Sequence, residues 1–401
     1  MARAVIFGAG SVGRGLLAQL LCDAGWQVTF LDVDAALVAR LAADGAYPHL
    51  TLGESGSVRT MVGPVTAIDV TDTPAALAAL LAADLAATSV GARVLPAVAD
   101  TLARAVGLRI ERGRPPLNVL LAENVHGCAG IMRSLLTERL PDVPGAVLDA
   151  NVGLLETAVG RMIPAADPAT SAAEPTLVRA EPYRLLPYDA AAALGGPLDI
   201  PGLVADRSVP FSFYGERKLY LHNLGHCFTG CLGRLAGYEQ VWQAIGDVRI
   251  RYLVRAAMIE SGAGLSATYE VAPAGLLEHI DDLLHRFGNR SLADTNERVT
   301  RDLPRKLAGG DRLLGGFRLA AEQGLPARHL SLAIAAAGAL LLAEDWTEAR
   351  LWAHLDANLA GLLDPERRRL LADQLALLAD GFDFPAQLAR LEAAFEPTHV
   401  I

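Results

Sequence analysis

A glycine-rich turn between two short apolar runs most constrains what this chain can fold into. Residues 4–7 read as a buried strand that leads directly into the sequence GAGSVGRG. A helix is predicted from this turn to about Ala24, and Gly25 is a natural stop before a second strand, Gln27–Leu31. A strand, a tight turn, a helix and a second strand in this order indicate the first part of a doubly wound α/β sheet.

The glycines of this turn form the pattern G-x-G-x-x-G, and each has a mechanical role in binding a dinucleotide. Gly8 allows the tight turn, Gly10 lets the backbone approach a pyrophosphate, and Gly13 allows the helix to pack closely on the strand. The pyrophosphate would lie at the helix N-terminus, where free N–H groups and the helix dipole favour anions. The turn residues expected to contact it are Gly8, Ala9, Gly10, Ser11, Val12 and Gly13.

An acid at the end of the second strand refines this prediction. Asp32 follows the glycines by about 20 residues, which is where a carboxylate accepts hydrogen bonds from the ribose diol of a dinucleotide. A carboxylate there also repels a 2′-phosphate. The sequence therefore predicts NAD rather than NADP as the cofactor. The alternative is a glycine-rich turn in some other α/β protein.

Strands and helices continue to alternate after Asp32, as expected for a mostly parallel sheet. Helices are predicted at 74–81 and 95–105, and strands at 85–90 and 118–121. Ligands bind beyond the carboxyl ends of such strands, so the turns that follow should border the cofactor. The residues expected there are Val90, Gly91, Glu123 and Asn124. Asn124 is also a candidate amide donor to a reacting oxygen, the alternative being a simple turn asparagine.

Further elements are predicted from composition and periodicity. The segment 54–70 is rich in Gly, Thr and Val and predicts an edge hairpin. Strands are predicted at 148–162 and 177–186, separated by a polar loop at 165–175. Helical periodicity dominates from about Leu219, with helices at 241–245, 249–260, 274–285, 312–323, 330–343, 348–355, 365–378 and 385–395.

These patterns predict an α/β protein of two domains. A Rossmann-type, doubly wound NAD-binding domain is expected at 1–195, followed by a mostly α-helical substrate and catalytic domain at 196–401. The boundary is placed at the Gly- and Pro-containing stretch 195–201.

Charge and composition exclude several classes of protein. The net charge of −10 argues against a nucleic-acid binder, because phosphate neutralisation needs clustered Lys and Arg. No apolar run reaches the length needed to span a bilayer, and the N-terminus does not read as a signal peptide. The cysteines show no disulfide framework, and Cys227 and Cys231 are expected to be buried thiols. A cytoplasmic protein without a membrane partner is the prediction.

A second constellation occurs in the sequence GERKLYLHNLGHCFTGC, which contains the pattern K-x4-N-x2-H. Asn223 and His226 lie three residues apart and share a helical face, while Lys218 can fold back over that face. Such a site could remove a proton from an alcohol. A desolvated lysine can act as a base, an asparagine can donate to an oxyanion, and a histidine can orient the base. The alternative is a surface lysine, a capping asparagine and a core histidine.

One basic stretch, NERVTRDLPRKLAGGDR, stands out in this acidic chain. Arginine forks suit a phosphate or carboxylate, so the stretch is a candidate site for a substrate phosphate. A solvated face with ion pairs to Glu297, Asp302 and Asp311 is the alternative. The candidate ligands are Arg298, Arg301, Arg305 and Lys306, with Arg312 at the end of the stretch.

Together these residues resemble the polyol-specific long-chain dehydrogenases over nearly the whole chain. The resemblance is carried by FGAGSVGRG, VTFLDVD, TSVG, AENVHG, NVGLLETAVGRMIP, ERKLYLHNLGHCFTGCLGRLAGY, AAMIESG and RVTRDLPRKLAGGDRL. It implies a zinc-independent, NAD-linked oxidation of a sugar-alcohol phosphate to a ketose phosphate. It also implies that Lys218 is a general base, that Asn223 and Asn124 hold the reacting oxygen, and that His226 supports the lysine and the substrate. No metal is expected, although His222 and His226 have the spacing of a metal pair.

One departure from the family pattern bears on the substrate. The family commonly has an acidic residue before Arg161, where this chain has Gly160, and Glu156 is a possible substitute. The same chemistry on a free polyol or a hexuronate is therefore the second hypothesis. A redox-sensing module without turnover is the third, but it would have no use for Lys218. A monomer or small homo-oligomer is expected.

Overall fold

The chain divides into two compact units, Met1–Gly215 and Glu216–Ile401. The computed structural model describes residues 1–54, 56–125, 127–164, 168–379 and 382–393. The first unit extends beyond the domain boundary predicted after Gly195.

The first unit is built on parallel strands with helices between them. Its strands are β1 (Arg3–Phe7), β2 (Gln27–Asp32), β3 (Tyr47–Gly53), β4 (Gly56–Val62), β5 (Val65–Asp69), β6 (Leu85–Thr88), β7 (Leu117–Leu121), β8 (Val152–Glu156), β9 (Val178–Ala180), β10 (Leu186–Pro187) and β11 (Leu203–Val204). Its helices are α1 (Ala18–Asp23), α2 (Ala35–Asp44), α3 (Thr73–Ala82), α4 (Leu95–Glu111), α5 (Cys128–Arg139), α6 (Gly145–Asn151), α7 (Pro168–Ala173) and α8 (Ser212–Arg217), the last of which ends just inside the second unit.

The central sheet has the order β5-β2-β1-β6-β7-β8, and all its pairs are parallel. Strand order therefore reverses between β1 and β6, where a doubly wound sheet opens a crevice at its carboxyl edge. This confirms the predicted fold class of the first unit. It also makes the turns after β1 and β6 neighbours.

Both faces of this sheet are covered, which explains its continuous apolar strands. Successive side chains of β1 point to opposite faces, so Ala4 and Ile6 join one core while Val5 and Phe7 join the other. Leu16 and Leu20, from the helical segment after the glycine-rich turn, pack into the first core, and α3, α4 and α5 supply the second. The sheet is therefore held as a rigid platform for the turns at its edge.

The prediction of a hairpin over residues 54–70 was wrong in its limits. The hairpin consists of β3 and β4, pairs Tyr47 with Val62, and so begins before the predicted segment. The chain leaves it at Pro64, which has no N–H to continue the ladder. The next strand, β5, instead joins the main sheet beside β2.

Two later predictions also need correction. Residues 148–151 belong to α6, and β8 ends at Glu156 because its partner β7 ends at Leu121, opposite Glu156. The strand predicted at 177–186 is two short strands, β9 and β10, separated by a stretch that contains Pro182. Residues 168–173 of the predicted loop form α7, and 165–167 lie outside the described residues.

The second unit is helical, as predicted. A π-helical turn, Lys218–Asn223, leads into α9 (Leu224–Leu235), and the chain continues through α10 (Val241–Gly246), α11 (Val248–Tyr269), α12 (Pro273–Phe287), α13 (Asn296–Val299), α14 (Leu303–Lys306), α15 (Arg312–Glu322), α16 (Arg328–Glu344), α17 (Glu348–Asn358), α18 (Pro365–Ala379) and α19 (Phe384–Ala393). Among the helices that the structure describes, none has both the length and the apolar character needed to cross a membrane.

Helix α16 shows why the second unit folds around its own core. Its sequence is apolar on every side, and each residue from Leu330 to Leu341 is buried. A helix that is apolar all round must lie at the centre of a helical domain. The amphipathic helix α12 instead buries one face, which includes Leu276, Ile280 and Leu284. This arrangement provides a fixed frame for the π-helical turn.

Candidate active site

The glycine-rich turn after β1 has the geometry that its sequence predicts. Gly8 has φ +93°, and a Cβ there would lie 2.7 Å from the carbonyl oxygen of Ser89. A Cβ on Gly13 would lie 2.1 Å from the carbonyl oxygen of Gly8, which no side chain can tolerate. A Cβ on Gly10, in contrast, would meet nothing within 4 Å. The outer side of the turn is therefore open to a ligand, while Gly8 and Gly13 are required by packing.

Asp32 lies at the end of β2 and is tied to the same turn. Its Oδ2 accepts a hydrogen bond of 2.6 Å from the backbone N–H of Ala9, and its Oδ1 accepts one of 2.9 Å from Asp34. The carboxylate is thus fixed beside the glycine-rich turn. Each of its oxygens keeps acceptor capacity for a ribose hydroxyl.

The turns after β6 and β7 are joined by one carboxylate. Glu123 accepts hydrogen bonds of 3.0 Å from the N–H of Val90 and 2.6 Å from the N–H of Gly91. Gly91 has φ +86°, a backbone conformation that favours glycine. Asn124 follows at the carboxyl end of β7 and is exposed. Glu123 therefore shapes the turn predicted to border the cofactor.

The position where the family pattern has an acid is accessible in this unit. A Cβ on Gly160 would lie 3.5 Å from Cε1 of Tyr183, which is ordinary contact. Glu156, the possible substitute, accepts a hydrogen bond of 2.9 Å from the N–H of Ala129 at the start of α5. Glu156 thus has a structural partner, and a side chain at 160 would pack against Tyr183 without a clash.

In the second unit, the K-x4-N-x2-H pattern begins on the π-helical turn and ends in α9. Within residues 221–233, all of which the structure describes, only Asn223 and His226 are not fully buried. Lys218 is likewise of intermediate exposure. Asn223 and His226 therefore form the accessible face of this window.

Lys218 has the electrostatic character of a base. Its side chain has intermediate solvent exposure but is largely surrounded by protein atoms, and this desolvation lowers its pKa from 10.5 to about 8. The positive charge of Arg312 contributes in the same direction. A substantial fraction of Lys218 is therefore neutral slightly above neutral pH.

The sequence carried a further signal for this lysine. Of the 35 lysine and arginine residues in the chain, only Lys218 and Lys306 are lysine. Arginine stays protonated at any physiological pH, whereas a desolvated lysine can lose its proton. A lysine at 218 in such an arginine-rich chain fits a position that requires a titratable amine.

Sequence reasoning missed the partner of His226. Nε2 of His226 lies 2.9 Å from Oδ2 of Asp294, although its N–H is not aligned well enough for a formed hydrogen bond. The ring stacks on Phe287 with centroids 5.0 Å apart. Catalytic hydrogen bonds are often poorly aligned before ligand binds. Asp294 and Phe287 thus confine the imidazole from two sides.

Asp294 is in turn held by Arg298. Nε and Nη2 of Arg298 donate to its two carboxylate oxygens, both at 2.6 Å. Burial alone would raise the pKa of Asp294, but the neighbouring His226 and Arg298 outweigh it and lower the pKa to about 2. Asp294 is therefore an anion beside His226 at every working pH. Its spacing from His226 in the sequence gave no sign of this contact.

The structure gives the basic stretch several internal partners. Nε of Arg305 donates to Asp302 at 2.8 Å, and its Nη1 donates to Asp311 at 2.9 Å. Arg312 also pairs with Asp311, at 2.8 Å. Lys306 is buried, and its Nζ donates to the carbonyl oxygen of Val299 at 2.7 Å. Arg301 is exposed. Much of the stretch is thus engaged within the unit, and its role as a phosphate site stays a prediction.

Comparison with known proteins places these features in a family. Residues 2–202 match the mannitol dehydrogenase Rossmann domain, and residues 211–360 match the mannitol dehydrogenase C-terminal domain. The chain belongs to the mannitol dehydrogenase family. It is therefore an oxidoreductase that acts on CH–OH groups, and its first unit is the Rossmann domain of that family.

Individual relatives agree with this assignment. Mannitol-1-phosphate 5-dehydrogenase of Brevibacillus brevis is 35% identical over 352 residues, which cover 88% of this chain and 89% of the relative. Among solved structures, D-sorbitol dehydrogenase in substrate-free form has a TM-score of 0.77 at 17% identity, covering 96% of this chain and 94% of its own. Mannitol 2-dehydrogenase of Pseudomonas fluorescens, in a ternary complex with NAD and D-mannitol, has a TM-score of 0.71 at 16% identity. The match covers 99% of this chain and 94% of that chain. These two structures are similar to this chain in fold.

Proposed function

We propose that this member of the mannitol dehydrogenase family interconverts D-mannitol 1-phosphate and D-fructose 6-phosphate, with NAD as cofactor and Lys218 as general base. The observation that carries the proposal is the desolvated Lys218, with its pKa lowered to about 8, one π-helical turn before the partly exposed Asn223 and His226. The choice of a phosphorylated substrate is supported by the curated relative at 35% identity, which is a mannitol-1-phosphate 5-dehydrogenase.

The chemistry assigned to the protein is proton transfer and charge stabilisation. In the oxidation direction, neutral Lys218 takes the proton of the C5 hydroxyl, and the carbon becomes a ketone as its hydride leaves. NAD, when bound, supplies the hydride acceptor. The amides of Asn223 and Asn124 donate to the oxygen as negative charge develops on it. His226, confined by Asp294, keeps the lysine and the hydroxyl in line.

This assignment has a pH dependence with a definite sign. Lys218 acts as a base in oxidation, so the oxidation rate should rise as pH increases through about 8, where the amine becomes neutral. In ketone reduction the protonated amine is the acid, so that rate should fall over the same range. If the pH–rate profiles of oxidation and reduction change in opposite directions around the same pH, a single titrating group serves both reactions.

The residues of the first unit fit a dinucleotide. The open space beyond Gly10 accommodates a pyrophosphate beside the helix N-terminus, where a side chain would otherwise project. Asp32, fixed by Ala9, is placed to accept hydrogen bonds from a ribose diol and to repel a 2′-phosphate. These contacts support NAD rather than NADP.

The substrate phosphate is assigned to the exposed side of the basic stretch. Arg301 is exposed, and Arg305 is more than half exposed although it pairs with two acids. Arg298 is as exposed as Arg305, but its fork is occupied by both carboxylate oxygens of Asp294, the neighbour of His226. Lys306 is buried and donates to the Val299 carbonyl. Arg301→Ala or Arg305→Ala should raise KM for a phosphate ester several-fold and leave KM for a free polyol unchanged.

The same chemistry on a free polyol or a hexuronate is the second candidate, and Gly160 is the observation that favours it. The acid that the resemblance associates with the substrate site is missing here, although a side chain at 160 would meet only Tyr183, at ordinary contact distance. In the Gly160→Asp variant, the ratio of kcat/KM for fructose 6-phosphate to that for fructose would be measured. A loss of this discrimination would locate the substrate near position 160.

Absorbance at the NADH band tests the proposal. Purified protein and NADH are mixed in turn with fructose 6-phosphate, fructose and a hexuronate, and oxidation is followed with time. Oxidation only with the phosphate ester is the expected result. Activity only on an unphosphorylated ketose or uronate would transfer the proposal to the second candidate, and no oxidation with any of them would refute both. We place this activity in the cytoplasm, where reduced thiols such as the four free cysteines are the rule. We expect a monomer or small homo-oligomer.

A further inference from the structure

The turn that carries Lys218 and Asn223 is not an ordinary α-helical turn. The N–H of Leu224 donates to the carbonyls of Leu219 and Leu221 rather than to that of Tyr220, which would be its α-helical partner. Helical turns closed by i→i+5 bonds are rare and occur frequently at functional sites. This one covers Lys218–Asn223, the segment that holds the proposed base and one amide.

The widened turn changes which side chains share a face. In an α-helix, which advances about 100° per residue, Asn223 would point about 140° away from Lys218. A π-helical turn advances about 82° per residue, which brings Asn223 to about 50° from Lys218. Continuing in α-helical steps then places His226 within about 10° of the direction of Lys218. The pattern K-x4-N-x2-H therefore converges only if the turn is π-helical.

A buried hydroxyl donates a hydrogen bond to the carbonyl of Tyr220, which does not receive the N–H of Leu224 in this turn. Oγ of Ser261, on α11, donates a hydrogen bond of 2.8 Å to the carbonyl oxygen of Tyr220. Ser261 has no solvent exposure, so water cannot take over this role without entering the core. The bond joins α11 to the middle of the π-helical turn.

Helix α15 holds the turn from another side. A Cβ on Gly315 would lie 2.4 Å from the Tyr220 ring, and one on Gly316 would lie 2.6 Å from Leu224. Only glycine at these two positions leaves room for the side chains that the widened turn pushes outward. The sequence thus provides a donor for the displaced carbonyl and space for the displaced ring.

We propose that Ser261 is a positioning residue, whose hydrogen bond to Tyr220 keeps the turn π-helical and so aligns Lys218 with Asn223 and His226. The alignment serves catalysis only if the proposed function holds, whereas the effect on the turn is independent of it. Removing the hydroxyl should let Leu224 bond to Tyr220, which would restore α-helical register and rotate Lys218 away from the amide.

Ser261→Ala and a matched control, Ser331→Ala, test this inference. Ser331 is also fully buried, and its Oγ donates to a helix carbonyl, that of Ala327, at 2.9 Å. Both variants lose one buried hydroxyl, so a general loss of stability should affect them alike. Ser261→Ala alone should lower kcat at least about tenfold and move the pH midpoint of the rate, with NADH affinity unchanged.

Crystal structures of wild type and Ser261→Ala separate this inference from the proposed function. An α-helical bond from Leu224 to Tyr220 in the variant is the expected result. Retention of the π-helical turn, an unchanged kcat, or an equal loss of kcat in Ser331→Ala would each overturn the proposal. If wild type turns over no substrate, the proposed function fails, and the variant's structure alone decides whether Ser261 holds the turn.

Discussion

Replacing Lys218 with methionine should stabilise the protein at neutral pH while removing its turnover. Methionine keeps much of the length of lysine but carries no charge. The folded protein holds the pKa of Lys218 at about 8, against 10.5 without burial, so the charged amine is disfavoured in the folded state. At about 1.36 kcal/mol per pKa unit, this difference corresponds to at most about 3 kcal/mol of stability.

The sign of this effect depends on pH. Below about pH 8 both folded and unfolded wild type carry a protonated Lys218, and the full cost of burying the charge is present. Between about pH 8 and 10.5 the unfolded state binds more protons, so wild-type stability rises with pH. The stability advantage of Lys218→Met should therefore be largest near pH 7 and shrink by up to about 3 kcal/mol near pH 10.5.

Denaturant unfolding of both proteins across this pH range measures the change. Comparing two pH values cancels the difference in packing between lysine and methionine. Arg301→Met, which removes an exposed cation from the same unit, is the control and should show no such pH dependence. A stability difference between Lys218→Met and wild type that stays constant with pH would refute a desolvated lysine at 218.

The remaining predictions concern carboxylates with defined partners. Asp294→Asn should lower kcat about tenfold, because the imidazole of His226 loses the adjacent anion. The control is Asp281→Asn, which breaks an exposed ion pair with Arg255 and should leave the steady-state kinetics unchanged. Asp32→Ala should weaken NADH binding about tenfold in a fluorescence titration, and it should reduce the preference of the protein for NADH over NADPH. Asp69→Ala, at the end of the neighbouring strand β5, is its control, and equal losses in both would contradict the ribose assignment. Glu123→Gln should cost about 1–3 kcal/mol in thermal unfolding, since an amide places a donor against two backbone N–H groups.

The fold of the first unit could be predicted because its signals are local. The strand before Gly8, the helix after Gly13 and the acid at Asp32 lie within one continuous segment. Each residue there satisfies a constraint of its own neighbourhood, such as the close contact of Gly13 with the Gly8 carbonyl. The predicted limits of strands were wrong where pairing with a strand far away in the sequence sets them. Strand β8, for example, ends where its partner β7 ends.

The supporting parts of the candidate site could not be read from the sequence. Asp294 approaches His226 from a segment far along the chain, and Ser261 reaches the Tyr220 carbonyl from a different helix. Helical periodicity also cannot distinguish a π-helical from an α-helical turn, because one inserted residue alters the register without altering composition. The pattern K-x4-N-x2-H indicated the residues, but their alignment depends on these tertiary contacts.

NADH oxidation with fructose 6-phosphate, measured side by side for wild type and Lys218→Ala, decides whether Lys218 is the general base. Wild type should oxidise NADH rapidly, and the variant should lose at least about 100-fold in kcat with NADH affinity nearly unchanged. Similar turnover by both proteins would contradict the assignment of Lys218 as general base.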